Sequence, residues 1–170
     1  MKEIKWKSTQ KIQKKITESK EQKYYKVDLG IQKVEPKKIV ALSRPIDDRK
    51  LERLRKSVKD DGWTDINPQT ILLWKLPNGD LIVDGEGNHR AYYSRTEEVK
   101  EIKAEVSLII DLSKLTKNQQ EGVINSNCAY LIARNNYINS EGESEDKEKM
   151  DLMVEAEKER NRFLKSLSLI

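Results

Sequence analysis

In the stretch "PQTILLWKLPNGDLIVDG", residues 68–85, two β-rich apolar runs flank Pro77-Asn78-Gly79-Asp80. Asn-Gly favours a positive φ and proline presets the start of a turn, so the chain reverses there and the two runs pair as a hairpin. The second run ends at Asp84 and passes at once through Gly85-Glu86-Gly87 into Asn88-His89-Arg90, where a short helix is expected over about Asn88 to Arg95. A strand that leads through glycines into a helix presents unpaired backbone N–H groups. Together with the helix dipole these favour an anion.

The flanking segments supply the rest of a layered fold. "YYKVDLG" and "IQKVEP" alternate apolar and polar residues between Gly30 and Pro36, the pattern of a short strand pair or of one bent strand. In "RPIDDRKLERLRKSVKDDGW", Asp47 or Asp48 can cap a helix whose Leu51, Leu54 and Val58 share one face, with Gly62 as a left-handed stop. "IKAEVSLII" alternates through Ala104, Val106 and Leu108 and ends apolar, as a buried strand does. Beyond Ser113 the pattern turns helical: Thr116 and Gln119 have capping-box spacing, and Val123, Ile124, Cys128, Leu131 and Ile132 predict a buried stripe. After the "NSEGESED" linker a further helix is expected from about Glu145 to Leu167, with Leu152, Ala156, Phe163 and Leu167 near one face. These elements predict an α/β (α+β) class with a small mixed sheet, packed helices and C-terminal helices.

Charge is spread unevenly over the 170 residues. The formal net charge is +4, but Lys2, Lys5, Lys7, Lys11, Lys14, Lys15, Lys20 and Lys23 crowd the N-terminal stretch, whereas Glu141 to Glu159 is mainly acidic. The lysines suit contact with DNA phosphates. Ile12 and Ile16 sit at helical spacing among them, compatible with a marginal helix or a mobile arm. No apolar run reaches the roughly 18 to 20 residues that span a bilayer, and "MKEIKWKSTQKIQKK" lacks the apolar centre of a secretory signal, so a cytoplasmic protein without a membrane partner is expected. Cys128 has no second cysteine with which to form an internal disulfide or a cysteine-based zinc site, and is expected as a small buried residue.

The junction residues describe a nucleotide-phosphate site. Gly85 and Gly87 let the backbone approach a phosphate, Arg90 can form a bidentate pair with its oxygens, and His89 can add a donor. Asp84 and Glu86 repel an anion, and make sense as ligands of a Mg2+ ion held against the phosphates or as a catalytic base.

The order "VEPKKI…RPIDDRKLERLRKSVKDDGW…INPQTILLWKLPNGDLIVDGEGNHRAYYSR…VKEIKAEV" resembles the ParB/sulfiredoxin family, over about Ile31 to Ile110. The resemblance implies a compact α/β domain that binds ATP, ADP or CTP, or that acts on DNA. It makes Gly87, Asn88, His89 and Arg90 the phosphate loop, Arg44 of the Arg-Pro pair a second phosphate-facing cation, and Lys50 a nucleotide contact. Asn88 stands where the sulfiredoxin branch has its catalytic cysteine, so sulfinic-acid reduction is not expected, and Asn88-His89 departs from the "GERR" loop of the partition branch. "LTKNQQEGVINSNCAYLIARNN" has the length of two short helices, but lacks the glycine turn and basic face of a helix-turn-helix DNA reader. The implied organisation is a basic arm (1–23), a ParB/sulfiredoxin-like domain (24–112) and a helical extension (113–170). The leading expectation is nucleotide binding linked to DNA binding or regulation. One alternative is a nuclease or nucleotide-dependent phosphotransferase that uses Glu86 or Asp84. Another is a non-catalytic module of a phage or mobile element, whose C-terminal helices bind another protein or a second copy.

Overall fold

The computed structural model describes residues 3–65, 67, 70–140 and 142–170. Pro68 and Gln69, at the head of the first hairpin run, and Glu141, in the acidic linker, lie outside the described residues. The chain divides into two compact units, Met1–Asp111 and Leu112–Ile170.

The first unit is a mixed α/β layer. Its strands are β1 (Lys7–Ser8), β2 (Tyr24–Val34), β3 (Ile39–Leu42), β4 (Leu72–Lys75), β5 (Leu81–Val83) and β6 (Ile102–Asp111); its helices are α1 (Thr9–Thr17), α2 (Asp48–Asp61) and α3 (Asn88–Thr96). Among the described residues the sheet runs β1-β3-β5-β4-β6-β2. The hairpin forms as its turn chemistry requires: β4 and β5 pair antiparallel, and Gly79 takes the positive φ of 88° while its N–H reaches the Leu76 carbonyl at 2.9 Å. Of the two readings of residues 24–34, the bent strand is the one observed. β2 pairs with β6 along its length, and its register shifts between Asp28 and Ile31, where Gly30 has a φ of 68°. Val27, Ile39, Ala41, Leu73, Ile82, Val83, Ala104, Val106 and Ile110 form the buried core. In α2, Asp47 caps the amides of Arg49 and Lys50 at 2.9 and 3.2 Å, Leu51 is buried, and Gly62 ends the helix at a φ of 77°.

The N-terminal stretch is not a separate arm. β1 extends the sheet by pairing parallel with β3, Lys7 opposite Ala41 and Ser8 opposite Leu42. Trp6 stacks on Tyr92 of α3 with ring centroids 5.6 Å apart, and the Arg95 guanidinium lies 4.9 Å from the Trp6 ring. Thr9 is fully buried. An aromatic and a short strand anchor the stretch, which lysine density alone does not indicate.

The second unit is a helical hairpin, α4 (Lys117–Ile138) and α5 (Glu143–Ser166). The capping box at Thr116 and Gln119 is present in both directions, at 2.9 and 3.2 Å. α4 is one uninterrupted helix across the segment long enough for a helix-turn-helix, so that arrangement is absent there. The expected stripe is met in part, with Ile124, Ala156, Phe163 and Leu167 half-buried. Val123 is buried, but Cys128 is exposed and Leu131 and Ile132 are 36% and 63% exposed; on α5 Leu152 is 60% exposed while Arg160 and Leu164 are buried. The seam between the helices passes through Gly122, Val123, Asn127 and Tyr130, with the expected Phe163 among the α5 residues that meet it. An added Cβ at Gly122 would lie 2.4 Å from the Phe163 ring, and the Arg160 guanidinium sits 4.2 Å from the Tyr130 ring and donates to the Asn127 side chain at 3.2 Å. A buried charge needs partners, and Asn127 and Tyr130 supply them to Arg160. No described helix is long and apolar enough to cross a membrane.

Candidate functional site

The parallel strands β1, β3 and β5 end on one edge of the sheet. There the chain departs as α1, as the Ser43-Arg44 loop, and as the Asp84–Gly87 turn that opens α3. The carboxyl edge of parallel strands is where open α/β sheets place ligands. Gly87 stands as the N-cap of α3 at a φ of 95°, and the first helical hydrogen bond runs from the Ala91 amide to the Gly87 carbonyl at 2.9 Å. The amides of the first turn therefore precede the intrahelical ladder.

The side chains that the sequence groups together are brought together, but most are turned inward. Asn88 is 5% exposed. Its Oδ1 accepts from the Ser43 and Arg44 amides at 2.8 and 3.2 Å, and its Nδ2 donates to Ser43 Oγ and to the Gly85 carbonyl, both at 3.0 Å. One amide thus ties the loop after β3 to the glycine turn. His89 Nε2 accepts the Asp47 amide at 2.9 Å, so in this bond that nitrogen bears no proton, and the histidine acts as an acceptor that fixes the start of α2. The donor role expected of this histidine is thereby left to Nδ1. Arg90 donates to the Thr64 carbonyl and lies 4.7 Å from the ring of Trp63, which stacks on Tyr93 at 6.0 Å. Burial holds the Arg90 pKa below the ordinary guanidinium value, with Asp65 opposing the shift. The reason for this turn of Arg90 is the broad indole face beside it, which the local pattern around residue 90 does not contain.

The two glycines differ. A Cβ at Gly87 would meet the Ile71 Cα at 2.7 Å and the Thr70 carbonyl at 2.9 Å, so this glycine admits the neighbouring backbone. Gly85, at a φ of 80°, has open space where its Cβ would point. The two carboxylates differ as well. Asp84 accepts from Gln13 at 2.7 Å through one oxygen and from the Trp74 indole at 2.9 Å through the other. Glu86 is exposed and lies 3.5 Å from Arg44, each side chain about two-thirds exposed at 65% and 66%. Lys50 is exposed in the first turn of α2. The outward side of the turn consists of Gly85, Glu86 and Arg44, with Lys50 on the adjoining helix, and its charged side chains are exposed to a ligand.

Several positioning residues escape a reading of the sequence. Gln10 donates to the Ser43 carbonyl and Gln13 to Asp84, so α1 braces both loops. Their signal is two amides three residues apart in a lysine-rich helix, a spacing that puts them on one face. Ser43 and Trp63 carry no comparable mark. Among the described residues no group of three or more histidine, cysteine or carboxylate side chains is placed to hold a metal. Comparison with protein-family models, curated proteins and solved structures finds no significant match for the chain.

Proposed function

We propose that the chain binds the phosphates of a nucleotide on the outward side of the Asp84–Asn88 turn, as a domain of ParB/sulfiredoxin type whose ligand is linked to DNA binding or its regulation. The observation that carries this reading is the juxtaposition of Gly85, open to close approach, with Arg44, whose ion-pair partner is an exposed carboxylate. Exposed pairs of this kind are worth little, so a phosphate with more charge and more acceptor oxygens displaces Glu86 at small cost. Arg44 and Lys50 supply the cations, and the first amides of α3 the backbone donors. Asn88, His89 and Arg90 shape the loop from within.

The fit to Mg2+ is uneven. Both oxygens of Asp84 already accept N–H donors, which does not suit a metal ligand, whereas exposed Glu86 suits an ion brought in on the phosphates. The nucleotide, with or without that ion, is ATP, ADP or CTP on the family resemblance. The exposed Lys11, Lys14 and Lys15 of α1 form the surface for DNA phosphates.

Calorimetric titration with ATP, ADP, CTP and GTP, with and without Mg2+, tests the reading. One nucleotide binds, and Arg44→Ala weakens it about tenfold or more, the equivalent of roughly 1.4 kcal/mol. Absence of binding by all four would refute it. The exposed position of Glu86 also favours a second reading, in which it is the base or metal ligand of a nuclease or phosphotransferase. On that reading Glu86→Gln abolishes turnover and leaves binding in place, and turnover that survives the substitution removes it.

A further inference from the structure

The surface of α5 carries a pattern that the glycine turn does not use. Asp151, Glu155, Lys158, Arg162 and Lys165 follow one another at intervals of four, three, four and three residues, the spacing that keeps side chains on one stripe of a helix. All five are exposed. None of the five forms an ion pair among the described residues. The stripe reads acid, acid, base, base, base, so a parallel copy would set acid against acid, while an antiparallel copy sets each half against its opposite.

Apolar area accompanies the stripe. Of the six large apolar side chains most exposed among the described residues, five lie on this hairpin: Leu131, Ile132, Ile138, Met150 and Leu152. Ile132 and Leu152 line a groove between α4 and α5 together with Ala129 and Ala133. Large apolar side chains left in water on the same hairpin, Met150 and Leu152 on α5 itself, mark an interaction surface.

We propose that two copies of this chain associate antiparallel along α5 about a two-fold axis near Lys158. This register sets Asp151 of one copy against Lys165 of the other and Glu155 against Arg162, twice over, with Lys158 meeting its own counterpart. The association is independent of the nucleotide reading, since none of these residues belongs to the glycine turn.

Sedimentation velocity on the full chain, over a concentration series at low and high salt, tests this directly. The natural chain dimerises, and more weakly at high salt. A chain with D151K and E155K is monomeric, as is a second chain with K158E, R162E and K165E. Mixed, the two form a dimer tighter than that of the natural chain, because the Lys158 encounter becomes an opposite-charge pair. A single chain carrying all five reversals dimerises again, which shows that complementarity and not damaged folding governs the result. A natural chain that stays monomeric at every concentration leaves the face to some other occupant and overturns the proposal. So does a dimer that survives either partial reversal, or a five-fold reversal that fails to restore association.

Discussion

The glycine turn and the α5 stripe are both rich in charged and polar side chains, and they employ them in opposite ways. At the turn, Asn88, His89, Arg90 and Asp84 are each held by a neighbouring loop or ring, and Arg44 and Glu86 stay in solvent. Along α5 every charge of the stripe remains in solvent. A polar residue in a turn that several loops share is consumed by the fold, because buried N–H and C=O groups must be satisfied. One on the outer face of a long helix is left over, since the helix satisfies its own backbone. Residue type alone therefore overstates the chemistry of the turn and understates that of the helix.

Substitutions can break this contrast, beginning with the glycines. Gly87→Ala puts a methyl group 2.7 Å from the Ile71 Cα at a φ of 95°, and is expected to cost about 3 kcal/mol or more in urea unfolding. Gly85→Ala meets no atom and is expected to cost about 1 kcal/mol, for its backbone conformation alone. Equal costs would mean that the two glycines do the same work. Asn88→Ala leaves the Ser43 and Arg44 amides without their acceptor, with an expected loss of about 3 kcal/mol. Stability within about 0.5 kcal/mol of the natural chain would show that Asn88 is free for a ligand after all.

Smaller effects are expected at the two arginines. Arg90→Ala removes the contact with Trp63 and is expected to destabilise by about 1.5 kcal/mol, while Arg44→Ala changes stability by less than about 0.5 kcal/mol. Thermal and urea unfolding of the pair decides which arginine belongs to the fold. The least effect is expected on α5, where the D151K and E155K pair shifts the unfolding of the monomer by no more than about 0.5 kcal/mol. A larger loss would place those carboxylates in a structural role.

The hairpin, the α2 cap at Asp47, the Gly62 stop and the capping box of α4 were legible because each rests on neighbours within a few residues. Legible too was the candidate turn, since a strand leading through glycines into a helix is a local pattern. Its inward-facing side was not. The partners of Asn88, His89 and Arg90 lie 45, 42 and 26 residues away, in loops whose conformation no local pattern dictates. The docking of the N-terminal stretch was hidden for the same reason, since Trp6 and β1 find their partners on α3 and β3. On α4 the apolar pattern points to Val123, which is buried, but not to Asn127 and Tyr130, which the buried Arg160 contacts from a distant part of the chain.

The most direct test is a two-dimensional amide spectrum of the full chain recorded during nucleotide titration, beside the same titration of Arg44→Ala. The amides of Arg44, Gly85, Glu86 and the first turn of α3 are expected to move together and saturate. Those of α5 are expected to stay in place, and Arg44→Ala to suppress the response. Shifts confined to the lysines of α1, or a spectrum unchanged at millimolar nucleotide, would contradict the nucleotide reading.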